Sequence, residues 1–219
     1  MKDKALFYYV LLCSTLCACL AIAAGLGSKI ILVYKFPGSA TLLAFSITFL
    51  ITDIISEVYG KEAAKRAVWA GFWSILLVYI LIRIAIIWPS APFWKDQAAY
   101  EKIFGGSLRI ITGGTIAYIV SQLHDVWIYH FLKGKTKGKY LWLRNNVSTM
   151  FSQLINTVIF VTIAFYGIQP IGKLIVGHYI GKLVVALLDT PFIYLCVHLM
   201  QKKLGLSKGE NVSLFANPS

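Results

Sequence analysis

The chain has 219 residues, of which 58% are apolar on a broad count, 14% aromatic and only 14% charged. Soluble domains are roughly 25% charged, and a mean hydropathy of +0.72 is too high for a single water-soluble core, which argues against a soluble enzyme, a disordered protein and a small disulfide-stapled domain together. The formal net charge is +12, from 21 Lys and Arg against 9 Asp and Glu, and in so apolar a chain this excess reports membrane orientation rather than nucleic-acid binding.

A membrane-crossing helix needs about 20 mostly apolar residues. Six stretches qualify: 5–26, 39–59, 68–88, 108–132, 146–168 and 174–200. They nearly exhaust the chain and predict an all-α integral membrane protein, a single six-helix domain over 1–219. Barrel strands would be alternating segments of about ten residues, which these are not.

The first stretch follows Lys2 and Lys4, but its apolar run is longer than the 7 to about 15 residues of a signal peptide. Cys13, Cys17, Cys19 and Cys196 lie inside apolar stretches, without zinc-ligand spacing, and read as packing thiols. Ala21 with Gly25, and Ala40 with Ala44, stand four apart and allow helices to approach closely.

The second stretch holds TDIISEVYG (52–60), in which Asp53 and Glu57 share a helix face. Glu57 falls within a turn of the interface. Asp53 sits about 9 Å inside the helix end, and an acid at that depth is a functional hypothesis by default. In the third stretch Arg83 is five residues from Trp88 and can snorkel. The fourth carries Asp125 with Gln122 and Ser121 on one side, while His124 faces elsewhere. The acid-free run KGKTKGK (133–139) follows, a solvated loop against anionic lipid.

In the fifth stretch SQLHDV (121–126) returns as SQLINT (152–157), so Ser152, Gln153 and Asn156 take the places of Ser121, Gln122 and Asp125. Successive helices run in opposite directions, which inverts the second patch, and inverted patches meeting near the midplane are a transporter device. The sixth stretch carries His178, Lys182 and Asp189 as one stripe, and Pro191 is expected to open the helix locally. Thirteen Lys and Arg then fall in segments on one side, five on the other, and Arg83, Arg109 and Lys182 within helices. This bias places both termini in the cytoplasm.

The buried polar residues argue for a shared cavity around a small hydrogen-bonding ligand. A carboxylate accepts two N–H groups of a flat heterocycle, an amide donates to its carbonyl, and Phe45, Phe49, Trp127 or Tyr179 could cover a ring face. No paired nucleophile and base stands at useful spacing, which disfavours a membrane enzyme. No GxxxxGK[ST] motif occurs, so a substrate-binding subunit of an ATP-driven uptake complex would need its ATPase in another chain.

TDIISEVYGKEAAKR (52–66), SQLHDVWIYHFLK (121–133), SQLINTVIF (152–160) and GKLVVALLDTP (181–191) together resemble the queuosine precursor transporters, also called the vitamin uptake transporter family. Many members carry an acid where this chain has Asn156. The resemblance implies import of 7-deazaguanine bases across the bacterial plasma membrane, with no cofactor or metal. The substrate-binding set expected from the buried polar residues is Asp53, Gln122, Asp125, Trp127, Gln153, Asn156, Lys182 and Asp189, with Asp53, Asp125 and Asn156 on the base and Lys182 and Asp189 as a gate or charge relay. The expected partners are the deazaguanine substrate and the lipid bilayer, not nucleic acid. A homodimer and an ATP-driven energy-coupling module both stay open.

Overall fold

Runs rich in Leu, Ile, Val, Phe and Ala form helices, whose backbone groups pair within the segment, as lipid demands. In the computed structural model, which describes residues 2–27, 29–33, 36–105, 108–167, 171–207, 210–212 and 214–215, these become α1 (Lys2–Leu26), α2 (Thr41–Val58), α3 (Lys61–Ile87), α4 (Gln97–Phe104), α5 (Leu108–Lys135), α6 (Leu141–Phe165) and α7 (Ile171–Leu204). Between α1 and α2 lies an antiparallel pair of short strands, β1 (Ile30–Val33) and β2 (Phe36–Ser39), registered from Ile30 opposite Ser39 to Val33 opposite Phe36. Each of the six expected stretches is helical. Neither α4 nor the strand pair was expected, because both are too short or too polar to stand out as membrane segments.

Several helices outrun their apolar cores. α3 starts at Lys61, not 68, because Lys-Glu-Ala-Ala-Lys-Arg-Ala consists of strong helix formers. α6 starts at Leu141, not 146, and α5 continues to Lys135, so KGKTKGK is partly helix and partly turn rather than a plain loop. α7 runs through Pro191 without interruption, contrary to the expected local opening; one missing N–H is tolerated within a membrane helix of 34 residues. Residue 168, the expected end of the fifth helix, and Lys35 and Lys208 among the counted cations lie outside the described residues.

Among the described residues, five helical segments are long and apolar enough to cross a membrane: 2–26, 61–87, 97–135, 141–165 and 171–204. α2 lies within the bundle, and every residue from 51 to 60 is buried. It contacts α1, α3, α5 and α7. The surface is inverted relative to a soluble protein: Trp73, Leu77, Ile87 and Trp88 of α3 and Leu187, Leu188 and Phe192 of α7 are exposed. On α6 the exposed residues are Trp142, Phe151, Leu154 and Val158, while Ser148, Thr149, Ser152, Gln153, Asn156 and Thr157 are buried. That pattern belongs to a multi-pass membrane protein, in which ionisable and polar side chains face the bundle interior.

Two glycines let the helices close up. Gly60 takes φ +85° between α2 and α3, a left-handed conformation open to glycine at little cost, and turns the chain directly from one helix into the next. Gly71 of α3 is the close-approach point to α1 and α5. A Cβ there would meet the Tyr118 hydroxyl and lie 2.7 Å from both Leu16 Cδ2 and Leu20 Cδ1. Tyr118 in turn donates to the Val68 carbonyl at 3.2 Å. The chain after α7 folds back under this end of the bundle: the Val212 N–H donates to the Val58 carbonyl at 2.8 Å, and the Phe215 ring packs edge-on to Tyr9.

Gly71→Val forces three helices apart. Overpacking costs about 1–3 kcal/mol, and thermal melting of the detergent-solubilised protein should show a lowered Tm. Gly134→Ala, where a Cβ meets nothing within 4 Å, should leave Tm unchanged.

Candidate functional site

Four helices turn polar faces toward one another. α2 contributes Thr48, Thr52, Asp53, Ser56 and Glu57, and α5 contributes Ser121, Gln122, Asp125 and Tyr129. α6 contributes the doublets Arg144-Asn145, Ser148-Thr149, Ser152-Gln153 and Asn156-Thr157. The four-residue step between doublets keeps them on one helix face. Lys182 enters from α7. The result is a buried polar seam of three storeys, each about one helical turn, or 5.4 Å, from the next.

The storey nearest Gly60 centres on Glu57. Its Oε2 accepts from Arg144 Nη2 at 2.7 Å and Tyr129 Oη at 3.0 Å, and Lys133 Nζ lies 3.1 Å away. Arg144, fully buried, also donates from Nη1 to the Lys139 carbonyl at 2.9 Å. Lys133 reaches on to Asn211 Oδ1 at 3.0 Å, linking the returning chain to the same group. Glu57 is therefore a buried ion-pair centre rather than an interfacial acid. Arg144 and Lys133 were counted as loop cations in the sequence; Glu57 draws both into the bundle instead.

The middle storey holds the acids. Asp53 and Asp125 face each other within hydrogen-bonding reach, Asp53 1% and Asp125 0% exposed. Thr149 Oγ1 donates to Asp53 Oδ2 at 3.3 Å. Among the described residues, no donor stands in hydrogen-bonding geometry to Asp53 Oδ1 or to either oxygen of Asp125, and neither acid has an ion-pair partner. Ser148 and Ser152 lie beside Asp125 but are engaged elsewhere: the Ser148 hydroxyl donates to the Asn145 carbonyl, and Ser152 Oγ pairs with His124 Nδ1 at 3.0 Å. Gln153 is buried with its Oε1 unpartnered. Buried polar atoms are nearly always paired. Three carboxyl oxygens in one place are thus left without a donor from the described residues.

The third storey holds two hydrogen-bonded groups, one of neutral side chains and one that ends on Lys182. Thr52 Oγ1 donates to Gln122 Oε1 at 2.9 Å, and Gln122 Nε2 donates to Thr48 Oγ1 at 3.2 Å. Asn156 Nδ2 donates to Ser121 Oγ at 3.0 Å, and Lys182 Nζ donates to Asn156 Oδ1 at 2.6 Å. The two SQ motifs thus meet antiparallel: Ser121 of the first faces Asn156 of the second, and Asp125 of the first faces Ser152 of the second.

Of the residues expected at the site, Asp53, Gln122, Asp125, Gln153, Asn156 and Lys182 come together in the seam. Asp189 does not join them. It is only partly buried, two turns from Lys182 along α7, about 10 Å at 1.5 Å per residue, and among the described residues it makes no hydrogen bond or ion pair. The Lys182–Asp189 relay is therefore not formed, because Lys182 reaches across to α6 rather than along its own helix. Trp127 is 54% exposed and stacks on Phe131 on the outside of the bundle. Two residues past Asp125, it lies on the other side of α5. Of the aromatics considered as ring covers, Phe49 is buried beside the polar residues of α2, and Tyr179 is partly buried and donates to the Met150 carbonyl. Sequence reasoning missed Arg144, Tyr129 and Thr149. The signal was present in the polar doublets that recur every four residues from Arg144 to Thr157.

Removing one partner of a buried ion pair costs about 3–5 kcal/mol, whereas removing both costs less. Arg144→Met should lower the melting temperature strongly, and adding Glu57→Gln to it should recover part of the loss.

The family described as "Putative vitamin uptake transporter" matches residues 39–196 of the chain. The "Probable queuosine precursor transporter" of Bacillus subtilis (strain 168) is 38% identical over 103 residues, a stretch covering 45% of this chain and 45% of that relative. No solved structure matches. The family match spans α2 to most of α7 and includes every storey of the seam, and the chain belongs to the vitamin uptake transporter family.

Proposed function

We propose that the chain is a plasma-membrane importer of queuosine precursors, the 7-deazaguanine bases 7-cyano-7-deazaguanine, 7-aminomethyl-7-deazaguanine or queuine. The observation that carries the reading is the Asp53–Asp125 pair, two buried carboxylates with three oxygens open to donors. A deazaguanine presents adjacent N–H donors on its pairing edge, and paired carboxyl groups offer adjacent oxygens to receive them. Gln153 brings to the same seam an amide suited to the base carbonyl, while Gln122 is engaged by Thr48 and Thr52. The likeness to the Bacillus subtilis protein supports the same class of cargo.

In this reading all six helices expected from the sequence cross the membrane, with the termini in the cytoplasm, and Glu57, Arg144 and Lys133 lie at the cytoplasmic end. The seam is occluded: none of its assigned side chains is more than 8% exposed. Import then requires the bundle to part on one side of the acids and afterwards on the other. The Glu57 centre closes the inner side here, tying α2, α5 and α6 to the returning chain.

The test is queuosine in tRNA. The host lacks precursor synthesis and its own transporter, retains the later tRNA-modifying enzymes, and is fed each base at low concentration. Queuosine should appear only when this chain is expressed. Asp53→Asn and Asp125→Asn, matched for membrane level, should each reduce it at least tenfold, about 1.4 kcal/mol or more. Trp127→Leu should leave it unchanged. Wild-type levels of queuosine in both Asn variants would remove the acids from the path.

A further inference from the structure

We propose that Lys182 makes the site selective by charge, favouring a cargo with a neutral hydrogen-bond acceptor over the otherwise similar cargo bearing an ammonium group. The inference rests on the importer reading and adds a specificity determinant to it.

Lys182 is 8% exposed, and among the described residues its one hydrogen bond is the 2.6 Å contact to Asn156 Oδ1. That is as short as a charge-assisted bond. Among the described residues no carboxylate lies within ion-pair distance of it. Asn156 orients the ammonium without neutralising it. Its Nδ2 is held by Ser121 Oγ, so its carbonyl is fixed toward the lysine. An ammonium has three donors, and Asn156 takes one. Lys182 thus brings a protonatable amine with two further donors to a buried seam.

Its place in the seam decides what it reads. Asn156 bonds Ser121, and Asp125 follows Ser121 by one turn of α5. The amine therefore stands in the storey next to the acid pair. A two-ring base with its donor edge on Asp53 and Asp125 extends its far substituent toward this storey. A nitrile there accepts from Lys182. An aminomethyl cation there meets a like charge in a poorly screened interior, where a pair of charges several ångströms apart shifts binding by tenfold or more. The acid pair acts on both cargoes through the same pairing edge, so a change at Lys182 is read in the ratio between them.

A purely structural lysine, tying α7 to α6, makes a different prediction: its loss would lower both rates together. Initial rates would be measured for the cyano and aminomethyl bases separately, in the queuosine-reporting host, for wild type, K182Q and N156D. N156D is nearly isosteric, keeps the contact to Lys182 and supplies the missing counter-charge, so it carries the test even where K182Q fails to insert. The expected result is a cyano-to-aminomethyl ratio that falls about tenfold or more in N156D and in K182Q. An unchanged ratio with active uptake would overturn this assignment and leave the importer standing. Uptake of neither base by the wild type would overturn both.

Discussion

The 2.7 Å contact between Arg144 and Glu57 fixes the heights of the helices that build the seam. A buried ion is tolerated only when its desolvation is matched by close partners, and Glu57 has three donors on one oxygen. They come from two helices, so α2, α5 and α6 are held at one relative level. Because helical side chains repeat every 3.6 residues, the next turns then align without further choice. Asp53 meets Asp125 and Thr149, and Gln122 meets Thr48 and Thr52. A slip of α2 by one turn would leave Glu57 without its cations and bring Asp53 to Arg144, so the ion pair specifies register as well as stability.

Specification of this kind matters more in lipid than in water. Apolar faces of the helices gain little by packing on one another rather than on acyl chains, and the outer surfaces of α3 and α7 could pack almost as well in other rotations. Polar faces have one low-energy destination, the bundle interior. The eight buried polar residues of α6 therefore orient that helix more firmly than its apolar ones do. Small residues then set how near the helices come, as at Gly71, where Leu16, Leu20 and Tyr118 occupy the space a side chain would need.

Most of the seam was legible in the sequence because acids, amides and a lysine inside apolar runs have few innocent explanations. That logic located Asp53, Gln122, Asp125, Gln153, Asn156 and Lys182. It failed for Arg144, which stands five residues past a lysine-rich run and looks like one more loop cation until the helix is seen to begin at Leu141. It also failed for Asp189. A seven-residue spacing puts Lys182 and Asp189 on one face but two turns apart, too far for contact. Trp127 was chosen for its chemistry without regard to its position two residues from Asp125, which turns it outward. The strand pair, α4 and the returning chain leave no hydropathy signature, and Gly71 is one glycine among 17.

The link between Val212 and Val58 joins the end of α2 to a segment that follows α7. Residues 211–215 leave the ribosome after all seven helices. α2, by contrast, is made early, yet its final carbonyl and the lysine beside Glu57 receive Val212 and Asn211 only once synthesis has passed α7. The bundle therefore spends its assembly in the membrane with this end unlaced. Its base is completed as the last of these segments is delivered, a sequence of events imposed by the direction of translation rather than by the strength of any contact.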